Sequence, residues 1–597
     1  MALSEQLRKP LKACSVSELE ALAAEIRETV IQTVETNGGH LSPNLGMVEL
    51  TLALYFAFDF PADKLLFDVG HQSYVHKIIS DRAERFSTLR KKGGISGFPS
   101  PEESAYDAFV AGHAGNSLAA GLGIAKARDL AGEDYRIVTV VGDGSLINGE
   151  SLEALTATEK KPGRFIVVLN DNGMSISENN NGFYKALSKV TTGKRYRTAK
   201  RRLKSALGKS WAGRGLKAFK SMVKRLLNRH VYLEDFGFKY VGVLDGHNLK
   251  ELIQVFENIR DSEEAVFVHV RTVKGKGLKP AEEKSDYYHG LSVHFESGEN
   301  AYAARLGEAL ARRAETDGKI VAVTAGMKDG TGLSSFGRRF PDRLTDVGIC
   351  EEYAVTYAAG LAAAGMKPVV CIYSTFLQRA YDQILHDVCI QNLPVVFCVD
   401  RAGLVGADGK THQGVFDLSY LTQLPNMTVL APSSLAQFER MLTFALSAGG
   451  PVAIRYPNGK AEEGETDAHA YEPGRWNLVK EGTDAVILAV GGRMLSLALN
   501  AARQAKKSVG VIDAHSVKPL DTACLDGLIG TPLLTLEENA LIGGFYSAVA
   551  SYYAARGRAL PVRGLGVGDA FVPHASVAEQ LEENGLTAEH ILRELDE

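Results

Sequence analysis

The chain has 597 residues, 45% of them hydrophobic and 23% charged, with 67 Lys and Arg against 71 Asp and Glu for a net charge of −4. That balance excludes a disordered chain, a membrane-embedded chain and, taken overall, a nucleic-acid binder. Six dispersed cysteines with no CxxC pair exclude a disulfide framework or zinc ribbon. No apolar run reaches ~18 residues and Met1–Lys9 lacks a signal-peptide core, so a cytoplasmic location with no membrane partner is expected.

Short apolar runs ending in Gly, Asp or Asn recur along the chain. Ile137–Val141 precedes Gly-Asp-Gly-Ser, Phe165–Leu169 precedes Asn-Asp-Asn-Gly, and Ala265–Val270 comes shortly before Lys-Gly-Lys-Gly. Each reads as a buried parallel strand feeding a loop, with helical patterns such as Ser117–Ala131 and Gly149–Thr158 between them. The alternation restarts after Glu299, with strands near Ile320–Thr324, Val369–Tyr373, Val395–Val399 and Met427–Leu430. It restarts again after Pro473, at Ala485–Val490, Ser508–Ile512 and Leu533–Leu536. The fold class is therefore α/β, as three consecutive units with mostly parallel sheets, over residues 1–298, 299–465 and 470–597.

One stretch breaks the charge pattern. Residues 179–233 hold 16 Lys and Arg and no Asp or Glu, which leaves −4 − 16 = −20 for the rest of the chain. Leu216, Phe219, Met222, Val223, Leu226 and Leu227 fall at helical spacing within it. A membrane- or polyanion-seeking amphipathic helix fits this pattern, but a solvated helix over an acidic protein surface, or a lid, fits it better, and the place after a site loop and before another strand favours a lid.

The most specific local signal is Gly142-Asp143-Gly144 followed by Asn170-Asp171-Asn172. Each half is common in turns. Together, each at a strand end, they bring a carboxylate and an amide oxygen to one sheet edge, and such hard oxygen donors suit Mg²⁺ beside a phosphate. The glycines let the backbone approach a diphosphate, and the helix beginning near Gly149 adds its positive end. This pairing resembles the thiamine diphosphate fold of transketolase-like enzymes. The likeness narrows to the 1-deoxy-D-xylulose-5-phosphate synthase family through Gly38-Gly39-His40-Leu41, Asp68-Val69-Gly70-His71-Gln72, Gly94-Ile95-Ser96-Gly97-Phe98 and Asp245-Gly246-His247-Asn248. The run Tyr373–Gln383 and Asp400-Arg401-Ala402-Gly403 carry it into the second unit.

The resemblance implies thiamine diphosphate and Mg²⁺ as cofactors, pyruvate and D-glyceraldehyde 3-phosphate as substrates, and a homodimer. It implies Asp143, Asn172 and the carbonyl of Met174 as metal ligands. Gly112, His113, Ala114, Gly144, Ser145, Lys276 and Leu278 are then expected around the cofactor, with His71, Phe376 and Arg379. Glu351 is expected at N1′ of the aminopyrimidine, and His40 and His71 as proton donors to the substrate. His412 and Asp408 are expected at the acceptor hydroxyls, with Tyr373, Arg401 and Arg455 at its phosphate, which a guanidinium fork suits. His289, in a loosely specified Tyr-His-Gly setting, is a weaker candidate.

Some positions depart from the family's pattern. Ser42-Pro43 stands where Ala-Ser is usual, Tyr353 where His is common, Leu278 where Tyr is frequent, and Asn458 where Arg is usual; the loop Gly112–Ser117 is also atypical. These departures touch substrate preference more than cofactor dependence. The alternative they leave open is a transketolase-like enzyme with another donor or aldehyde acceptor.

Overall fold

The computed structural model describes residues 7, 9–157, 160–173, 232–291, 300–461, 463, 471–558 and 562–596. Most of the basic stretch 179–233 and the expected metal ligand Met174 lie outside the described residues.

The chain groups into two compact units. The first comprises Met1–Leu89 and Ile95–Val293; the second comprises Arg90–Gly94 and His294–Glu597. The first unit holds one five-stranded sheet of β1 (Lys64–Phe67), β2 (Ile137–Gly142), β3 (Phe165–Asp171), β4 (Lys239–Asp245) and β5 (Val266–Arg271). Its order is β1-β2-β3-β5-β4 and every pair is parallel. Alternate residues of the inner strands face opposite ways. Val138, Val140, Ile166 and Val168 enter one apolar core, and Ile137, Val141, Phe165, Val167 and Leu169 enter another. Both faces are covered, which is why these strands read as unbroken apolar runs.

Local signals set the helices of this unit. Ser15 and Glu18 form a capping box at the start of the helix Val16–Asn37, and Gly38, at φ 74°, ends it. The helix Asn116–Ala131 stops at Gly132, also left-handed.

The second unit contains two sheets. One carries β6 (Ile320–Thr324), β7 (Leu344–Asp346), β8 (Lys367–Tyr373), β9 (Val396–Asp400), β10 (Thr428–Leu430) and β11 (Val452–Arg455). The other carries β12 (Asn477–Lys480), β13 (Ala485–Ala489), β14 (Val509–Asp513), β16 (Leu533–Ala540) and β17 (Val562–Val567). The sequence divides this region into residues 299–465 and 470–597, and each range holds most of one sheet, with a link between them. The strand β15 (Ser516–Lys518) leaves the last region and pairs antiparallel with β10, giving the order β15-β10-β11-β9-β8-β6-β7. One continuous core also runs from Val323, Ile372 and Phe397 to Trp476, Leu488, Ile512 and Phe545, so the two sheets share a single buried layer. Among the described residues no helix is long and apolar enough to cross a membrane.

Candidate active site

Parallel strands end side by side, so the C-terminal edge of the first sheet gathers loops from distant parts of the sequence. β1, β2, β3 and β5 deliver Asp68, Asp143, Asn172 and Lys274 to neighbouring loops. The register pairs Gly142 with Asn170, which sets the loop of Asp143 beside that of Asn172.

Asp143 is buried. Its Oδ1 accepts the Gly144 amide at 3.0 Å, and its Oδ2 has no hydrogen-bond partner among the described residues. Burial, and after it the charge of Asp171, pushes its carboxyl up to about 7. An orphaned carboxylate oxygen with a like charge nearby fits a divalent cation, which would offset both penalties. Gly144 and Ser145 are buried next to it, and Asn172 is half-buried directly after β3. The neighbouring Asp171 is used structurally. Its Oδ2 lies 2.7 Å from Nε2 of the buried His269, whose Nδ1 meets the Tyr240 hydroxyl at 2.8 Å.

Asp68 organises the next loop. Its Oδ1 accepts the Gly115 amide at 2.9 Å, and its Oδ2 accepts the amide and hydroxyl of Ser117 at 3.1 and 2.8 Å. These bonds hold the loop Gly112-His113-Ala114 against the start of the helix Asn116–Ala131. Gly115 sits at φ 99°, and a Cβ there would lie 2.3 Å from Oδ1 of Asn148, so only glycine fits. Val69, a β-branched residue at φ 60°, marks strain in the turn before His71.

Three imidazoles meet in this unit. Ring centroids of His40 and His71 are 5.4 Å apart, those of His40 and His289 5.6 Å, and those of His71 and His289 5.2 Å; Phe98 contacts His40 edge-on at 5.8 Å. Burial, then Lys274 and the other two rings, lowers His289 well below the ordinary imidazole range, so it is neutral near pH 7. The residue given only weak standing by the sequence therefore sits with the two stronger ones. The loop of residues 272–278 is held from behind. His247, in the Asp-Gly-His-Asn motif, accepts the Val273 amide through Nε2 at 2.9 Å, while its Nδ1 lies 3.0 Å from Oε2 of Glu49. Lys274 of that loop is buried, and desolvation lowers its pKa against the opposing pull of Asp286 and Asp143. Lys276 is half-buried, and Leu278 packs against the core.

In the second unit Glu351 opens the helix Glu351–Ala363 and is 3% exposed. Burial, opposed chiefly by Arg379, pushes its carboxyl up to about 7, and Oε2 has no hydrogen-bond partner among the described residues. Tyr373 at the end of β8 stacks on Phe376 at 5.9 Å, and Phe376 meets the ring of His412 edge-on at 5.5 Å. Thr411 Oγ1 lies 2.8 Å from Nδ1 of His412, and Asp408 pairs with Arg90. Arg401, at φ 56°, lays its guanidinium 3.9 Å over the Tyr373 ring.

Arg455 is held from within the protein. Its Nε and one terminal nitrogen grip the buried Asp417 at 2.8 and 3.0 Å, and that nitrogen also donates to the Glu538 carbonyl at 3.1 Å. Two of its three guanidinium nitrogens are thus engaged by the fold itself.

Most of the chain matches known families. Residues 4–272 match the model for 1-deoxy-D-xylulose-5-phosphate synthase, 299–463 that for the transketolase pyrimidine binding domain, and 474–591 that for the transketolase C-terminal domain. A 1-deoxy-D-xylulose-5-phosphate synthase of Carboxydothermus hydrogenoformans is 47% identical over 604 residues, covering 98% of this chain and 97% of its own. One of Clostridium tetani is 44% identical over 602 residues, covering 98% and 97%. This chain belongs to the 1-deoxy-D-xylulose-5-phosphate synthase family. A solved transketolase of Campylobacter jejuni aligns over 98% of this chain and 100% of its own, at 17% identity and a TM-score of 0.44.

Three residues that the structure sets beside these candidates carry no role in the sequence reading. Lys274 alternates with Lys276 in Lys-Gly-Lys-Gly, and spacing alone does not say which is buried. Asp68 was visible as a polar residue directly after an apolar run, a signal for an anchoring carboxylate at a strand end. Asn44 gives no signal, because two of its three partners are backbone groups of His71 and Tyr74, distant in sequence.

Proposed function

We propose that this chain is a thiamine diphosphate- and Mg²⁺-dependent synthase. It decarboxylates pyruvate and joins the remaining two carbons to D-glyceraldehyde 3-phosphate, giving 1-deoxy-D-xylulose 5-phosphate and CO₂, a precursor for isoprenoids and thiamine. The observation that carries this reading is the near end-to-end likeness to relatives named for that reaction. A homodimer in the cytoplasm belongs to the same proposal.

Thiamine diphosphate supplies the carbanion chemistry that side chains cannot, and Mg²⁺ ties its diphosphate to the fold. In the first unit Asp143 and Asn172 would hold the metal, with Gly112, His113, Ala114, Gly144, Ser145 and Lys274 about the diphosphate. In the second unit Glu351 can hold or release a proton near neutral pH, because burial has moved its carboxyl into that range. Phe376, stacked on Tyr373, offers an aromatic face for the aminopyrimidine. His40, His71 and neutral His289 form a cluster able to donate a proton to, or accept one from, a substrate oxygen. Arg401, braced on Tyr373, is the cation we assign to the acceptor phosphate, and His412 and Asp408 to its hydroxyls.

Incubation with pyruvate alone and with a panel of aldehyde acceptors, following CO₂ and product mass, tests the reading. Product of the mass of 1-deoxy-D-xylulose 5-phosphate, formed only with glyceraldehyde 3-phosphate, is expected. Turnover with a ketose donor and none with pyruvate would overturn it in favour of a transketolase-like transfer.

A further inference from the structure

Asn44 lies in the four-residue helix Ser42–Leu45, and its side chain is wholly buried. Its Nδ2 donates to the carbonyl of His40 at 2.7 Å and to the carbonyl of His71 at 2.8 Å, while its Oδ1 accepts the Tyr74 amide at 2.8 Å. A primary amide has two N–H donors, and both are used. The orientation is unambiguous, since a flipped amide would press Oδ1 against two carbonyl oxygens. Tyr74 closes the circuit, its hydroxyl accepting the His40 amide at 3.2 Å. The third imidazole is tied to the same segment. Gly39 pairs with Leu291, and the Ser42 amide donates to the Tyr288 carbonyl at 2.9 Å.

One side chain therefore fixes the backbone of two loops 31 residues apart in sequence, each at the residue whose imidazole enters the cluster. We propose that Asn44 is a positioning residue that sets the spacing of His40 and His71, and so supports turnover without binding the cofactor. This rests on the reading of those histidines as groups that meet the substrate. Misplacement of a reacting group by ~1 Å costs on the order of 10²-fold in rate, a displacement that loss of two short bonds to opposite loops readily allows. Neither bond reaches Asp143 or Asn172, and the contacts of Asp68 with Gly115 and Ser117 do not involve Asn44, so cofactor affinity should fall far less than turnover.

The test compares Asn44→Asp, Asn44→Ala and His71→Ala with the parent enzyme, and adds the double variant Asn44→Asp/His71→Ala. Asp keeps the volume and the Tyr74 acceptor but loses both donors; Ala, which brings no buried charge, serves if the Asp variant does not fold. Expected are a kcat lower by on the order of 10²-fold in either single Asn44 variant, a thiamine diphosphate Kd by calorimetry that changes far less than kcat, and a further loss on adding Asn44→Asp to His71→Ala that is clearly smaller than the loss in Asn44→Asp alone, because only the placement of His40 is then left to lose. Parent-like kcat in the Asn44 variants, while His71→Ala is impaired, would overturn the proposal. So would a Kd that worsens in step with kcat, or full multiplication of the two losses in the double variant, because each describes a residue that merely holds the fold. Parent-like kcat in His71→Ala would instead overturn the reading of the histidines, and this proposal with it.

Discussion

Replacing Glu351 by Gln should stabilise the cofactor-free protein at neutral and alkaline pH while disabling it. The carboxyl is 3% exposed and its pKa stands at about 7 against an ordinary 4.5, with burial as the largest cause. Below pH 4.5 the folded and unfolded chains both hold the proton, and the residue carries no penalty. As pH rises the unfolded chain releases the proton first, so stability falls until the folded carboxyl also ionises near pH 7. The rise from 4.5 to about 7 amounts to roughly 3 kcal/mol, all of it present at pH 8. Gln keeps the shape and cannot ionise. Thermal unfolding followed by calorimetry should show the Gln variant nearly level with the parent at pH 4.5 and ahead of it by a margin that grows to pH 8. A margin that stays constant with pH would refute the reasoning. In the loaded enzyme the same change should slow exchange of the thiazolium C2 proton by ~10²-fold, read by NMR, because Gln cannot exchange a proton at Oε2. Stability gained and activity lost at one position is the pattern expected of a buried catalytic carboxyl.

Other substitutions separate roles in the same way. Asp143→Ala should abolish Mg²⁺-dependent binding of thiamine diphosphate in calorimetry, and undiminished binding would remove Asp143 from the metal site. Arg401→Ala should raise KM for glyceraldehyde 3-phosphate roughly ten- to a hundredfold, the worth of one charge-assisted contact, and leave KM for pyruvate nearly unchanged. Arg455→Ala should instead strand the buried Asp417 and cost about 3–5 kcal/mol, seen as a lower Tm and reduced activity toward both substrates alike. Lys274→Met, which removes the buried ammonium near Asp143 and Asp286, should weaken thiamine diphosphate binding by roughly tenfold or more; unchanged affinity would make the lysine a structural partner of Asp286.

Hydrophobic runs by themselves located β2, β3 and β5 of the first sheet, β6, β8, β9 and β10 of the second, and β13, β14 and β16 of the third, each to within a residue or two at its start. All of these are interior strands, buried on both faces, so composition alone betrays them. The edge strands β1, β4, β7, β12, β15 and β17 escaped, as did the four-residue β11, because edges are short or polar where they meet solvent. The motif proposed to hold the metal is legible for a related reason: Asp143 and Asn172 directly follow interior strands, and parallel pairing must bring such ends together. Tertiary structure alone decided the partners. That Asp417 occupies the fork of Arg455, that Lys274 is the lysine taken out of water, that His289 completes a cluster with His40 and His71, and that Asn44 spans two loops are all facts of packing between distant segments. Sequence states which groups can ionise or donate. Which of them are desolvated, and what they then face, is settled when the chain closes over them.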